Sequence, residues 1–314
     1  MYDAHTHFIP PDVLNWLVEN KQSVSAVFDK RDANKADFLS INGKWAFELK
    51  PSFVSEELFL REQAKAGVQH TLISPIPQLF LYEFQSEITR ELVQVYNQAL
   101  AAIASDKPGR LAALGTVSLN APEQAAADLE TGMDLGLKGA IIGPGHNGKL
   151  LSDAGFTPLW EAANRLKAVI FIHPLLNTDP RIQTRMMPNL VGVPWETTVA
   201  AADLLLSGLL DTYPNVKILL GHGGGFLPYQ IGRLDKGYDM WNQVSSNLQA
   251  KPSEYLKRFW FDSVLWNAHA LEYLVQVVGE DHIVPGSDYP FDLNELPTRI
   301  LSGDGYRSLL ELDR

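Results

Sequence analysis

The chain has 314 residues, 46% of them hydrophobic and 20% charged, which is enough apolar material for a large folded core. Its 26 Lys and Arg against 37 Asp and Glu give a formal net charge of -11, the wrong sign for gripping a phosphate backbone, so a nucleic-acid role is excluded. Cysteine is absent, which excludes disulfides, thiolate ligands and a cysteine nucleophile and leaves imidazole and carboxylate as the only strong metal ligands. No apolar run approaches the roughly 18–20 residues that span a bilayer. The opening Met-Tyr-Asp-Ala-His-Thr-His has neither the basic nor the apolar stretch of a secretory leader. The expectation is a cytoplasmic protein whose mature chain starts about here.

In chain order, eight short apolar runs rich in β-branched residues read as strands, at 2–8, 68–75, 111–119, 139–143, 169–173, 217–221, 259–262 and 283–286. Each is closed by a breaker or polar residue, and helical patterns alternate with them. Helices fit at 55–66, 86–105, 122–136, 156–167, 196–212, 226–240, 268–279 and 292–302. Over 86–105, Ile88, Leu92, Val95, Ala99 and Ile103 recur three or four apart and predict one buried stripe. Eight strands alternating with eight helices predict an α/β fold of the (β/α)8 TIM-barrel kind, with a doubly wound open sheet as the runner-up. Segments 9–54 and 174–195 break the rhythm after strands 1 and 5 and are expected as insertions that cover a pocket. No repeat or long linker interrupts the chain, so residues 1–314 read as a single domain.

The polar residues that close the strands carry the chemistry. His5 and His7 end the first strand two apart, so their side chains share a face. His173 ends the fifth strand, His222 the sixth, and Asp288 follows the eighth. In a barrel these ends converge, so distant segments can hold one ion. Three or four N/O ligands with an open position suit a catalytic zinc, although an all-N/O set accepts manganese as well. His70, His146, His269 and His282 read as ordinary structural histidines, with His146 near enough to the fourth strand to reach the pocket. Asp262 closes the seventh strand and is open to either a structural or a site role. In Gly221-His222-Gly223-Gly224-Gly225 the glycines turn a strand into a helix and leave the imidazole uncrowded. Asp288 in Gly286-Ser287-Asp288-Tyr289-Pro290-Phe291 is either a helix cap or a ligand.

Taken together, Asp3-x-His5-x-His7, His173-Pro174, Leu190-Val191-Gly192-x-Pro194-x-Glu196-Thr197-Thr198, the Gly-His-Gly-Gly-Gly turn and Gly-Ser-Asp-Tyr-Pro-Phe resemble the amidohydrolase superfamily. The resemblance runs in order through nearly the whole chain and is strongest to the branch that contains aminocarboxymuconate semialdehyde decarboxylase. It implies a barrel with one divalent metal, most often zinc, on His5, His7, His173 and Asp288. It also implies a catalytic pair of His222 and Asp288, His222 acting as general base and acid beside a metal-bound water. The residue matching Arg233 grips a substrate carboxylate from the neighbouring subunit, which implies a homodimer; a helix-surface ion pair is the alternative role for Arg233. Phe291, Phe47 and Met186 are the other expected substrate contacts. Phe47 stands where the branch has a second substrate-gripping arginine, and Met186 or Arg185 where it has an aromatic residue. The Gly-Asn-Ala segment common near the family's C-terminus is missing, so a shortened or divergent last helix is expected.

These departures point to a less charged acid, and the resemblance implies a metal-dependent non-oxidative decarboxylase of an unsaturated or aromatic carboxylic acid. The alternative is a hydrolase or hydratase that uses the same site on an ester, lactone, C–C bond or double bond. A barrel that only binds ligand is the third possibility, and an open metal position beside a free imidazole argues against it.

Overall fold

The computed structural model describes residues 1–32, 34–44, 46–296, 298 and 301–312. Eight parallel strands run through it: β1 (Tyr2–His7), β2 (His70–Ser74), β3 (Leu111–Ala113), β4 (Gly139–Ile142), β5 (Val169–Ile172), β6 (Lys217–Leu220), β7 (Phe259–Asp262) and β8 (Ile283–Val284). They form a three-stranded sheet in the order β1-β2-β3 and a five-stranded sheet in the order β8-β7-β6-β5-β4. Backbone hydrogen bonds join the sheets at both ends. Gly115 N donates to Gly139 O at 3.0 Å and Ile141 N to Gly115 O at 2.8 Å; on the other side Ala4 N donates to Pro285 O at 2.7 Å and His7 N to Tyr289 O at 2.8 Å. Every residue of β4 and β5 is buried, as parallel strands covered on both faces require, which is why they read as unbroken apolar runs.

The helices that alternate with the strands include α1 (Pro11–Glu19), α2 (Glu56–Lys65), α3 (Ser86–Ser105), α4 (Pro122–Asp134), α5 (Thr157–Leu166), α6 (Val193–Leu206), α7 (Leu227–Met240), α8 (Ala268–Val278) and α9 (Asp304–Leu310). Local chemistry starts several of them. Ser55 Oγ accepts from Leu58 N at 3.3 Å at the head of α2, where Glu56 and Glu57 favour the positive end of the helix dipole. Asn267 caps α8 by accepting from His269 N and Ala270 N. In α3 the buried face is centred one position from the expected stripe, on Leu92, Val93, Tyr96, Ala99 and Leu100, with Ile88, Val95 and Ile103 only half-buried. Tyr96 turns inward because its hydroxyl donates to Phe8 O at 2.9 Å and accepts from Ile76 N at 3.2 Å, so a phenol fits in the core without an unpaired polar atom.

Two expected helices differ. The 196–212 stretch begins earlier, at Val193, and breaks at Gly208 (φ +77°) into α6 and a short turn at Leu209–Thr212. The described residues of 292–302 are not helical, and the helix comes later, as α9; residues 297, 299 and 300 lie outside the described residues. The chain after Asp288 is instead tied down in turns, with Glu295 N donating to Ser287 O at 2.7 Å and Asn294 N to Phe291 O at 3.2 Å.

Residues 9–54 contain α1 and a small antiparallel sheet of Ala26–Asp29, Phe38–Ile41 and Phe47–Glu48. Two lysines fasten this segment: Lys44 pairs with Glu83 at 2.6 Å, and Lys50 pairs with Asp292 at 2.6 Å while donating to Pro290 O at 3.1 Å. The apolar interior falls into two clusters, one of strands β4–β8 with their helices and one uniting α1, α3 and residues 39–59 around Phe8, Phe53 and Phe59. A fully buried Phe or Leu contributes about 1.5–3 kcal/mol, so these clusters hold rigid the strand ends from which the polar residues project. No helix among the described residues is long and apolar enough to cross a membrane.

Candidate active site

Four histidines and an aspartate meet where β1, β5 and β6 end and just beyond β8. The ligand atoms of His5, His173, His222 and Asp288 all lie within 4.8 Å of one another. His7 joins them, with Nε2 at 3.1 Å from His5 Nε2 and 3.2 Å from Asp288 Oδ1. All five side chains are buried or nearly so. His222 Nε2 is 3.7 Å from Asp288 Oδ2.

The other ring nitrogen of three histidines is already committed. His7 Nδ1 donates to Pro75 O at 3.0 Å, His173 Nδ1 donates to Pro174 O at 2.9 Å, and His5 Nδ1 bonds Asp262 Oδ2 at 2.5 Å. A carbonyl oxygen can only accept, so His7 and His173 carry the proton on Nδ1 and turn the lone pair of Nε2 to the common centre. This is the arrangement of metal-bound imidazoles held by an outer layer of acceptors. His173 Nε2 and Asp288 Oδ1 are buried without any hydrogen-bond partner among the described residues, and orphaned buried polar atoms are costly unless something fills the gap between them. Burial also pushes His7 below the ordinary imidazole range and His173 well below it, which keeps both neutral, the form that coordinates a cation. Two buried carboxylates, Asp262 and Asp288, lie against the cluster and favour positive charge there. The donor set therefore fits one divalent cation.

Backbone geometry places the two residues of the expected catalytic pair. His222 has φ +54° and Asp288 φ +60°, a left-handed conformation that costs a non-glycine residue about 1–2 kcal/mol and that concentrates at functional sites. The glycines after His222 are needed for packing: a Cβ on Gly223 would sit 2.4 Å from Leu265 Cδ2, and one on Gly225 2.2 Å from Pro194 O. That contact explains the Pro194-to-Thr198 stretch of the motif. Thr198 Oγ1 donates to Pro194 O and accepts from Phe226 N, each at 2.7 Å, and so locks α6 to the turn that carries His222. Asn177 Nδ2 donates to Glu196, whose half-burial raises its pKa.

The other expected site residues fall in different places. Phe291 packs edge-on to His7 with ring centroids 5.2 Å apart, and Phe47 stands behind it, 6.0 Å from Phe291 and 5.3 Å from Phe53. Phe47 thus reaches the histidines only through Phe291. Met186 is 49% exposed at φ +58°, just before the π-helical turn Pro188–Gly192. Arg233 is exposed on α7 and makes no hydrogen bond or ion pair among the described residues, so the single chain does not join it to the cluster. His70 bonds Tyr306 Oη at 2.7 Å, His269 bonds Glu272 at 3.1 Å, and His282 donates to Phe259 O at 3.0 Å, all away from the cluster; His146 sits on the short strand Gly145–His146 of a small hairpin, beside Tyr82.

Two residues were not assigned to the site from the sequence. Asp3 accepts from Ser287 Oγ at 2.5 Å, Ser287 N at 3.1 Å and Gln63 Nε2 at 3.0 Å, tying β1 to the residue before Asp288. Trp266 lies parallel to the His222 imidazole, 6.2 Å between centroids and 18° between planes; its indole N–H donates to Leu293 O at 2.7 Å and it keeps 48% exposure. The Asp3 position is visible in the first motif. Nothing in the sequence marks Trp266, because its role comes from the turn after β7 meeting the loop after β8.

A family model described as amidohydrolase matches residues 2–304. Among curated proteins, the 2-amino-3-carboxymuconate-6-semialdehyde decarboxylase of Dictyostelium discoideum is 31% identical over 94% of this chain and 82% of its own length. Among solved structures, 5-carboxyvanillate decarboxylase from Sphingomonas paucimobilis superposes with a TM-score of 0.83 at 23% identity, covering 100% of this chain and 99% of the other. A 5-carboxyvanillate decarboxylase from Novosphingobium aromaticivorans, complexed with manganese and 4-hydroxy-3-methoxy-5-nitrobenzoic acid, has a TM-score of 0.78 at 21% identity over 93% of this chain and 86% of the other.

Proposed function

The chain belongs to the amidohydrolase family, and on that premise we propose that it is a metal-dependent, non-oxidative decarboxylase of an unsaturated or aromatic carboxylic acid. One observation carries the reading: buried His173 Nε2 and Asp288 Oδ1 have no hydrogen-bond partner among the described residues and face the same centre as the Nε2 atoms of His5 and His7. The fold is then a (β/α)8 barrel in one domain over residues 1–314, with insertions after β1 and β5. The hydrogen bonds that join β3 to β4 and β1 to the segment after β8 support it.

His5, His7, His173 and Asp288 hold the cation, and zinc and manganese both suit the donors. When bound, it polarises substrate oxygens and stabilises negative charge as a Lewis acid. His222 supplies the proton. Its Nε2 faces Asp288, its Nδ1 has no partner among the described residues, and its turn is fixed by the backbone, so the imidazole can protonate a carbon held beside it. As that C–H bond forms, the bond to the carboxylate breaks, its electron pair returns to the π-system and CO2 leaves.

The walls suit a flat substrate with little charge beyond its carboxylate. Phe291, backed by Phe47 and Phe53, bounds the His7 side, and Trp266 bounds the His222 side. Substituting Trp266 with Ala is expected to raise KM about three- to tenfold, the worth of one aromatic contact, with a smaller change in kcat. Steady-state kinetics on the best substrate would show this, and an unchanged KM would remove Trp266 from the pocket.

The carboxylate grip comes from Arg233 of a second subunit in a homodimer. The face around Arg233 favours this, since Tyr229, Met240 and Trp241 expose 77%, 61% and 59% of their surface on or next to α7. An Arg233→Ala chain mixed with an Asp288→Asn chain is expected to recover about a quarter of wild-type activity, since half the dimers are mixed and each has one complete site. No recovery from proven mixed dimers would give Arg233 a local role.

The reading as a whole is tested by product mass after incubation with Zn(II) or Mn(II) and a panel of hydroxyaromatic and unsaturated acids. Loss of CO2 supports it; gain of water would make the protein a hydrolase or hydratase at the same site.

A further inference from the structure

Asp262 closes β7 and is fully buried, and its two carboxylate oxygens are engaged by four donors. Oδ2 bonds His5 Nδ1 at 2.5 Å and accepts from His222 N at 2.8 Å; Oδ1 accepts from Gly223 N at 2.8 Å and Val264 N at 3.1 Å. His222 and Gly223 are consecutive residues at positive φ, +54° and +61°. Two successive backbone N–H groups in such a turn form a concave anion receptor, and here the anion is the side chain of Asp262. One carboxylate thus grips a member of the metal-ligand set through its ring and the proton carrier through its backbone.

We infer that Asp262 is the positioning residue of the site: it fixes the His5 tautomer that leaves Nε2 free for the cation and sets His222 at a constant separation from that ligand. This rests on the metal-site reading above. Of the three backbone donors, Val264 N belongs to the turn of Asp262 itself, whereas His222 N and Gly223 N belong to the turn after β6. The fourth bond, across 257 residues, reaches the His5 ring on β1, whose other nitrogen faces the common centre.

Asp262→Asn separates these roles. The amide has a single oxygen. If it serves the turn, the NH2 group faces His5 Nδ1 and favours the opposite tautomer, with the proton on Nε2; if it serves His5, the turn loses its anion. We expect the dissociation constant for Zn(II) or Mn(II), read by competition with a chromogenic chelator, to rise about 10- to 100-fold, although Asp262 does not belong to the ligand set. Affinity equal to wild type in a variant with wild-type circular dichroism would overturn the inference.

A second measurement does not depend on the variant folding or on catalysis. In metal-free wild-type protein with 15N-labelled histidine, His5, identified by its loss in His5→Asn, should show a proton on Nδ1 in a strong hydrogen bond, shifted far downfield. A His5 ring protonated on Nε2 alone would overturn the inference even if Asp262→Asn fails to fold. Failure of the decarboxylase reading looks different: no CO2 from any acid tried, with metal affinity still dependent on Asp262.

Discussion

Replacing His222 with asparagine is expected to cut kcat by about 10²–10⁴, the usual contribution of a positioned acid or base, while about one metal ion per chain stays bound. Asparagine suits the test because it tolerates positive φ better than other non-glycine residues, and position 222 sits at +54°. The backbone bond from residue 222 to Asp262 should survive. The variant also resolves an ambiguity of geometry. His222 lies as near the common centre as the ligands do, so metal content measured beside activity separates its two possible roles. Activity lost with metal retained makes it the proton carrier; metal lost as well would make it a ligand and leave the proton without an owner. Near-normal turnover would sink the assignment.

Removing the Asp288 carboxylate should be at least as severe for metal content. Asp288→Asn, again matched to a positive φ of +60°, replaces the anion on which His5 and His7 converge, at 3.4 and 3.2 Å, by a neutral amide. Elemental analysis of protein prepared without chelators is expected to give about one transition metal per wild-type chain and near none for the variant. Zinc or manganese in the wild type would also identify the ion. Occupancy indifferent to Asp288 would mean that the ligand set has been misread, and the decarboxylase reading would fall with it.

Parts of this architecture could be read before any coordinates. The eight strands are legible because parallel strands covered on both faces must be continuously apolar, so the polar residue that ends each one stands out. His5, His7, His173, His222 and Asp288 stand out in that way, and the fold brings them together. Asp262 carried the same signal, but its meaning lay in which donors surround it, and those come from β1 and the turn after β6. The inward face of α3 shifted by one residue because a tyrosine found two backbone partners, which no hydrophobic pattern encodes. The expected helix at 292–302 gave way to turns anchored on Ser287 and Phe291, a tertiary demand that overrode local propensity. Arg233 is exposed on α7, and its proposed partner is another copy, so no contact within one chain marks its task.

The hydrogen bonds between β1 and the segment after β8 have a bearing on how the protein matures. Asp3 and Ser287 are 284 residues apart in the chain, and the ligand set draws on both sides of that gap. A ribosome-bound chain that has not yet released residue 288 therefore holds three of the histidines without the carboxylate, and closing so long a loop is slow relative to local helix formation. If His5, His7, His173 and Asp288 hold the cation as proposed, its capture waits for the last stage of folding. On that ligand set the bound ion would clasp the seam between the first strand and the segment after the last, and its binding energy would add to the stability of the fold.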